Sequence, residues 1–348
     1  MNFHKLNINT ITKETKNAVS IAFDVPENLK STFTFKAGQY ITLKAEVDGE
    51  DIRRDYSLCI NPKSDTLKVV VKEVSDGAFS RFANANLKVG DYLEVASPRG
   101  RFTFEPNATE QRTIVAFAAG SGITPIMSIA KTILNEELQS KFVLVYGNKT
   151  LNDTIFYNEL IQLQKQYKER LHLQFVFSES NEDNALFGRI GTSVVNYTLN
   201  KIDGANAFYI CGPESMIHTV SDTLIEKGIA KDSIKFELFT APVDAAEADI
   251  EGVQDGNTTV TVLVDDEESS FLMPQSKTIL ESALENKIDA PYSCQGGICS
   301  SCIARITSGK AVMRQNNILT DSELAEGLIL TCQAQPTTST VSIDYDDV

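Results

Sequence analysis

The chain has 348 residues, 42% of them apolar and 23% charged, with a formal net charge of -15. That length suits two or three domains with ordinary cores, and so acidic a surface repels nucleic acid. The start, Met1-Asn2-Phe3-His4-Lys5, lacks the apolar run of a signal peptide.

The first hundred residues alternate short β-rich runs (18–23, 40–45, 67–74 and 92–96) with the turn residues Gly38, Asp48-Gly49, Asn61-Pro62 and Val89-Gly90-Asp91. Short strands with regular turn signals predict a small antiparallel β-barrel, placed at residues 1–106. Two motifs lie on it. Arg54-Asp55-Tyr56-Ser57 ends a strand. Its arginine offers a fork of donors to a pyrophosphate, Tyr56 can stack on an isoalloxazine ring, and Ser57 can hydrogen-bond the N5 edge of that ring. Gly77-Ala78-Phe79-Ser80 is a G-x-x-S turn opening a helix, whose N-terminus supplies donors to the same pyrophosphate. Taken alone, either motif is equally an ordinary strand end or turn.

The rhythm changes after residue 105. A continuous apolar run at 113–118 reads as a strand covered on both faces. The uncharged stretch 113–130 has the length of a membrane span. Gly120, Ser121, Gly122 and Pro125 interrupt it, which predicts a strand, a tight turn and a helix instead. Helix at 125–134, strand at 142–146, helix at 155–167, strands at 171–177 and 207–211, helix at 214–227 and strand at 234–239 complete an α/β domain with an open parallel sheet over 107–240. Gly120-Ser121-Gly122-Ile123-Thr124-Pro125 sits where a glycine turn cradles phosphate. Cys211-Gly212-Pro213-Glu214-Ser215-Met216 ends a later strand and faces the same crevice. Phe236-Glu237-Leu238-Phe239 puts a carboxylate and an aromatic at the end of the last strand.

Residues 241–257 read as a linker, with five acidic and no basic side chains. Beyond it, in 258–348, come a strand at 258–264, a helix at 279–286 and then Cys294, Cys299 and Cys302 in C-x4-C-x2-C spacing, with Cys332 on a separate segment. This is the plant-type [2Fe-2S] spacing. Gly296 and Gly297 can take φ > 0 and bring backbone N–H groups to the cluster. Zinc is the nearest competitor, but it prefers two C-x2-C knuckles and only one pair here has that spacing. Cys59 and Cys211 remain outside any framework, and thiols of both kinds suit a reducing, cytoplasmic compartment. His4, His172 and His218 share no metal spacing, and the acidic run 265–268 reads as a solvated hairpin turn.

Taken in order, R-x-Y-S, G-x-x-S, G-S-G-I-T-P, C-G-P-x-x-M and C-x4-C-x2-C…C resemble the ferredoxin–NADP reductase superfamily with a C-terminal plant-type ferredoxin domain of β-grasp fold. Tyr146-Gly147-Asn148-Lys149 and Leu87-Lys88-Val89-Gly90-Asp91 make the chain look most like reductase subunits of phenylacetyl-CoA epoxidase systems. The resemblance implies that Arg54, Tyr56, Ser57, Gly77 and Ser80 bind FAD. It implies that Gly120, Gly122, Thr124, Pro125, Gly212 and Met216 hold the nicotinamide dinucleotide, with Cys211 beside the nicotinamide. Ser57, Cys211 and Glu237 would serve hydride transfer, and Phe239 would be the stacking aromatic. That aromatic ends the chain in the plain reductases, whereas here the chain continues. The four cysteines would hold the cluster.

NADP-selective reductases carry a Ser-Arg pair where this chain has Ser178-Glu179. A glutamate accepts from a ribose 2′-OH and favours NADH, whereas Lys149 can meet a 2′-phosphate. Epoxidase reductases are associated with NADPH, and the resemblance leans that way. The implied activity is NAD(P)H-dependent electron delivery to an oxygenase component that docks near the acidic ferredoxin domain, without a membrane. Alternatives are a reductase serving another ring- or sterol-hydroxylating oxygenase, a redox-sensing module without turnover, and a zinc-bearing interaction protein.

Overall fold

The computed structural model describes residues 2–239 and 256–348. The expected linker, 241–257, lies outside the described residues except for Gly256 and Asn257. The chain packs as two units, one of residues 3–239 and one containing the C-terminal residues.

The first unit opens with an antiparallel sheet of β1 (Phe3–Thr15), β2 (Ala18–Asp24), β3 (Tyr40–Val47), β4 (Glu50–Ser57), β5 (Thr66–Lys72) and β6 (Tyr92–Ala96) in the order β4-β3-β6-β1-β2-β5. The sheet curls until Leu58, just past β4, bridges Val69 on β5. Inward-facing Leu6, Ile8, Ile21, Phe23, Ile41, Leu43, Val69 and Val71 fill it. β1 escapes a reading by periodicity because only Leu6 and Ile8 of its thirteen residues are buried, so its alternation is short. Helix α1 (Ala78–Ala85) lies against β5.

The same unit continues with a parallel sheet of β7 (Thr113–Ala119), β8 (Lys141–Asn148), β9 (Leu171–Phe177), β10 (Leu186–Phe187), β11 (Ala207–Gly212) and β12 (Ile234–Leu238) in the order β10-β9-β8-β7-β11-β12. Its helices are α2 (Ile123–Glu136), α3 (Tyr157–Gln166), α4 (Thr192–Leu199) and α5 (Glu214–Glu226). β7 is covered on both faces, as its apolar run requires. α2 begins at Ile123, two residues earlier than expected. Pro125 then occupies the first turn, where its missing N–H would have no intrahelical partner. β10 and α4 had no expectation; two residues are too few to show a period, and α4 buries only Val195 and Thr198. The core of this sheet takes in Ala18, Cys59, Val70, Phe102 and Phe104 from the barrel side, so barrel and sheet pack as one body. The strand order reverses direction between β7 and β11, which makes their carboxyl ends the crevice of the sheet.

The second unit has β13 (Asn257–Val264), β14 (Glu267–Pro274), α6 (Ile279–Glu285), β15 (Ile303–Ser308), β16 (Ala311–Met313), α7 (Asp321–Ala325), β17 (Leu328–Leu330), β18 (Ala334–Pro336) and β19 (Thr340–Asp344). Five strands form a mixed sheet, β14-β13-β19-β15-β17, in which β13 and β19 run parallel. Helix α6 closes its core through Ile279, Leu280 and Ala283. The acidic run is a hairpin turn, as expected: Asp265 (φ 51°) and Asp266 (φ 64°) take the left-handed region of a two-residue turn. Their N–H groups donate to the Asp346 carboxylate at 3.0 and 2.9 Å.

Candidate redox site

On the barrel, β4 presents Arg54 exposed, Tyr56 half-buried and Ser57 buried. The Tyr56 ring packs on Phe79 of α1 at 5.5 Å between centroids, and burial pushes its hydroxyl pKa well above normal. Gly77 precedes α1, and a Cβ there would lie 2.4 Å from Ser80 Oγ and 2.5 Å from Val74 Cγ2, so a larger residue would push both side chains aside. Ser80 Oγ accepts from Val74 N at 3.2 Å and donates to Gly77 O at 3.1 Å. Its hydroxyl is thus committed to the turn, and its part in an anion site is to hold the helix end in place. No side chain caps α1, which leaves its first-turn N–H groups available to a phosphate.

The sheet meets the barrel where β4, β11 and β12 converge. Cys211 and Glu237 are directly paired in the β11–β12 register, and Ser57 Oγ donates to Glu237 Oε2 at 3.5 Å. Three residues far apart in sequence therefore share one place. Burial, then the Asp55 carboxylate, raise the Glu237 carboxyl to about 8 against the Ser57 hydrogen bond. Cys211 is fully buried, and burial together with Glu237 holds its thiol protonated. Such a site can exchange a proton at Glu237 and contains no competing thiolate nucleophile. Phe239 stands just past β12 with 38% of its surface exposed.

Beside this cluster the glycine turn after β7 meets the end of β11. A Cβ on Gly122 would fall 2.1 Å from Cys211 O and 2.9 Å from Gly212 N. One on Gly212 would fall 2.6 Å from Met216 Cε and 3.2 Å from Ala119 N. Backbone meets backbone here, leaving bare N–H groups at the start of α2, which also lacks a side-chain cap. Thr124 Oγ1 ties the turn by donating to Ser121 O at 3.0 Å, and Tyr146 Oη donates to Gly120 O at 2.9 Å. This cradle fits a pyrophosphate.

Farther along the same edge, Lys149 Nζ pairs with Glu179 Oε1 at 3.2 Å. The backbone clamps the two loops: Ser178 N donates to Asn148 O at 3.0 Å and Glu179 N to Lys149 O at 2.8 Å.

In the second unit the loop before β15 carries three cysteines, and Cys332 follows β17. None of the six cysteines is in a disulfide. The four thiols form two pairs, Cys294 with Cys299 and Cys302 with Cys332. Cys294 is pushed down to about 6, first by hydrogen bonding from Cys299, then by the N–H groups of Gly296, Ile298 and Cys299. Gly296 N donates to its sulfur at 3.3 Å. In the other pair Cys332 is drawn toward thiolate while Cys302 keeps its proton. Gly297 has φ +71°, as expected; Gly296 does not take positive φ, and Gln295 does (φ 53°). The turn thus enters the left-handed region one residue early, which frees the Gly296 N–H to face Cys294. Among the described residues no three His, Cys, Asp or Glu side chains are grouped to hold one metal ion. Two separate thiol pairs suit two irons better than one tetrahedral zinc.

Sequence reasoning passes over Lys72 and Asp55. Lys72 Nζ lies 3.3 Å from where a Gly120 Cβ would be, so a barrel cation overhangs the phosphate cradle; no motif spacing marks it. Asp55 is held by Thr42, whose Oγ1 donates to Oδ1 at 2.6 Å; it stands inside a motif as its variable position. Cys59 is buried, donates to Lys68 O at 3.1 Å and is pushed up to about 12 by burial, which makes it inert packing. Among the described residues no helix is long and apolar enough to cross a membrane.

Comparison with known proteins agrees with this geometry. The oxidoreductase FAD-binding domain family matches residues 5–104, the oxidoreductase NAD-binding domain family residues 117–222, and the 2Fe-2S iron-sulfur cluster binding domain family residues 262–337. The chain is 38% identical to a component of the 1,2-phenylacetyl-CoA epoxidase of Escherichia coli, over 99% of this chain and 98% of that one. It is 33% identical to the ferredoxin reductase component of 3-ketosteroid-9-alpha-monooxygenase of Rhodococcus rhodochrous, over 98% and 96%. Phthalate dioxygenase reductase, a solved structure, aligns over 99% of this chain and 98% of its own with a TM-score of 0.63 and 26% identity. With its FAD-binding, NAD-binding and [2Fe-2S] domains in that order, the chain belongs to the three-domain flavin and iron–sulfur reductases of the ferredoxin–NADP reductase superfamily, the family that includes this epoxidase component.

Proposed function

We propose that the protein is the reductase component of a multicomponent oxygenase, of the phenylacetyl-CoA epoxidase kind, and carries electrons from NADH or NADPH to its oxygenase partner. The observation that carries this reading is the convergence of Ser57, Cys211 and Glu237 beside the Gly122–Gly212 seam, in a chain that also holds two thiol pairs. When bound, FAD accepts a hydride and releases electrons singly, and the cluster relays one at a time.

The chain's own residues do the positioning. Arg54 and the α1 end, set by Gly77 and Ser80, hold the FAD pyrophosphate, and Tyr56 lies along the ring system. Gly120, Gly122, Thr124, Pro125, Gly212 and Met216 shape the nicotinamide dinucleotide site, with Lys149 and Ser178 at its far end. Cys211 would form the buried floor of the nicotinamide site, Ser57 and Glu237 would hold a proton at the flavin edge, and Phe239 would supply the stacking aromatic. Cys294 with Cys299 takes one iron, and Cys302 with Cys332 the other. The three domains divide at 106 and 240, with the acidic linker before residue 258.

Residues 256–348 hold thirteen acidic and five basic side chains. That balance suits docking to a basic patch on the oxygenase, and the free-thiol chemistry suits the cytoplasm.

Anaerobic addition of nicotinamide dinucleotide to the purified protein tests the proposal. Bleaching of both flavin and iron–sulfur absorption, with electrons passing to an oxygenase component, is the expected result. A colourless protein free of iron and sulfide would refute it.

A further inference from the structure

Gln333 follows Cys332 in the chain and is buried, with 6% of its surface exposed. Its backbone is tied on both sides: its N–H donates to Leu330 O at 2.8 Å, and its carbonyl accepts from Arg314 N at 2.9 Å. The side chain reaches across to the cysteine loop. Nε2 donates to Gln295 O at 3.1 Å and to Cys332 Sγ at 3.7 Å, the second being within reach of an acceptor as large as sulfur. Both neighbours accept, so the amino end of the amide belongs here and not its oxygen. Gly297 leaves room for this side chain, since a Cβ on it would lie 2.9 Å from Gln333 Cγ.

We propose that Gln333 is a positioning residue for the iron–sulfur centre, which raises its reduction potential by setting hydrogen bonds to a sulfur of each thiol pair from one amide. This deepens the reductase reading and rests on it. At Cys332 the action is direct. At Cys294 it runs through one peptide. Gln295 sits in the left-handed region at φ 53°, a conformation that L side chains resist, and Gln333 holds its carbonyl. That carbonyl and the Gly296 N–H belong to the same planar trans peptide and point in opposite directions. With the oxygen held by Gln333, the N–H is turned to Cys294 Sγ, which it meets at 3.3 Å. The two sulfurs belong to different pairs, Cys294 with Cys299 and Cys332 with Cys302. A two-iron centre gains negative charge on reduction, and donors to its sulfurs favour that charge, so both contacts move the potential in the same direction.

The test is a reductive titration of the full chain followed by visible absorption and EPR, with iron and sulfide measured first. Gln333→Met keeps the length of the side chain and removes the donor. It shifts the one-electron equilibrium toward the oxidised state about tenfold, a fall of about 59 mV in midpoint potential. Gln333→Glu keeps the shape of the amide and puts an acceptor where the donor was, so the potential falls at least as far. A role in packing alone predicts the opposite for this variant, a potential equal to that of the wild type. The wild type gives a further reading that needs no variant. With isotopically labelled nitrogen in its glutamine side chains, pulsed EPR of the reduced protein shows a coupled side-chain nitrogen. Absence of that coupling, or an unchanged potential in either variant that retains its iron, overturns the inference and leaves the reductase reading intact. A wild-type protein without iron or sulfide overturns that reading, and the inference with it.

Discussion

Replacing Glu237 by glutamine isolates the perturbed carboxyl that Ser57 meets beside Cys211. In the folded protein burial, then Asp55, raise Glu237 from 4.5 to about 8. An unfolded chain titrates near the lower value. Between the two, the folded state holds a proton that the unfolded state has released, so stability falls as pH rises from about 4.5 and levels off above about 8. The slope is at most about 1.4 kcal/mol per pH unit. Partial exposure of the residue lessens it, so about 3 kcal/mol is a reasonable loss across the window. Glutamine cannot ionise, so Glu237→Gln gains on wild type by that amount between pH 5 and pH 8. The assay is urea unfolding at several pH values, followed by flavin release so that it reports the unit of residues 3–239. Asp55→Asn removes the second cause of the shift and moves the end of the slope to lower pH. Parallel pH curves for wild type and Glu237→Gln would mean the carboxyl is ionised throughout, and the account of a proton held at the flavin edge would fail.

Gly122→Ala places a methyl 2.1 Å from Cys211 O and forces the seam apart by about 1 Å; a misplacement of that size costs about 10²-fold in rate. Nicotinamide-dependent flavin reduction falls accordingly while flavin content is unchanged, and an unaltered rate would remove the cradle from the mechanism. Lys72→Met weakens ADP-ribose binding about tenfold and flattens its salt dependence, measured by calorimetry at two ionic strengths. Cys299→Ser, which breaks the Cys294–Cys299 pair, abolishes reduction of a cluster-dependent acceptor and leaves ferricyanide reduction in place. Loss of both activities in a folded variant that keeps its FAD would refute the division of labour between the units.

Local pattern carries a long way here because the chemistry demands local geometry. A cluster loop needs thiols at set spacing, and a phosphate turn needs glycine where backbone meets backbone, so Cys294, Cys299, Cys302, Gly120 and Gly122 stand out in a single pass. The continuous apolar run that forms β7 and the barrel turns are legible for the same reason. β1 is not, since only Leu6 and Ile8 of its residues are buried and its alternation is short.

What the linear chain settled was which parts exist: a barrel, a parallel sheet, a cysteine loop and the motifs on each. What only the tertiary structure decided was which side chains answer one another. Ser57 reaches Glu237 across 180 positions, Asp55 tunes that carboxyl from within a motif's variable slot, Ser80 proves to be spent on its own turn, and Lys149 is paired with Glu179. Spacing along a chain constrains neighbours a few residues apart. Charge pairing and burial act through space, and they are fixed only when strands from different parts of the chain meet.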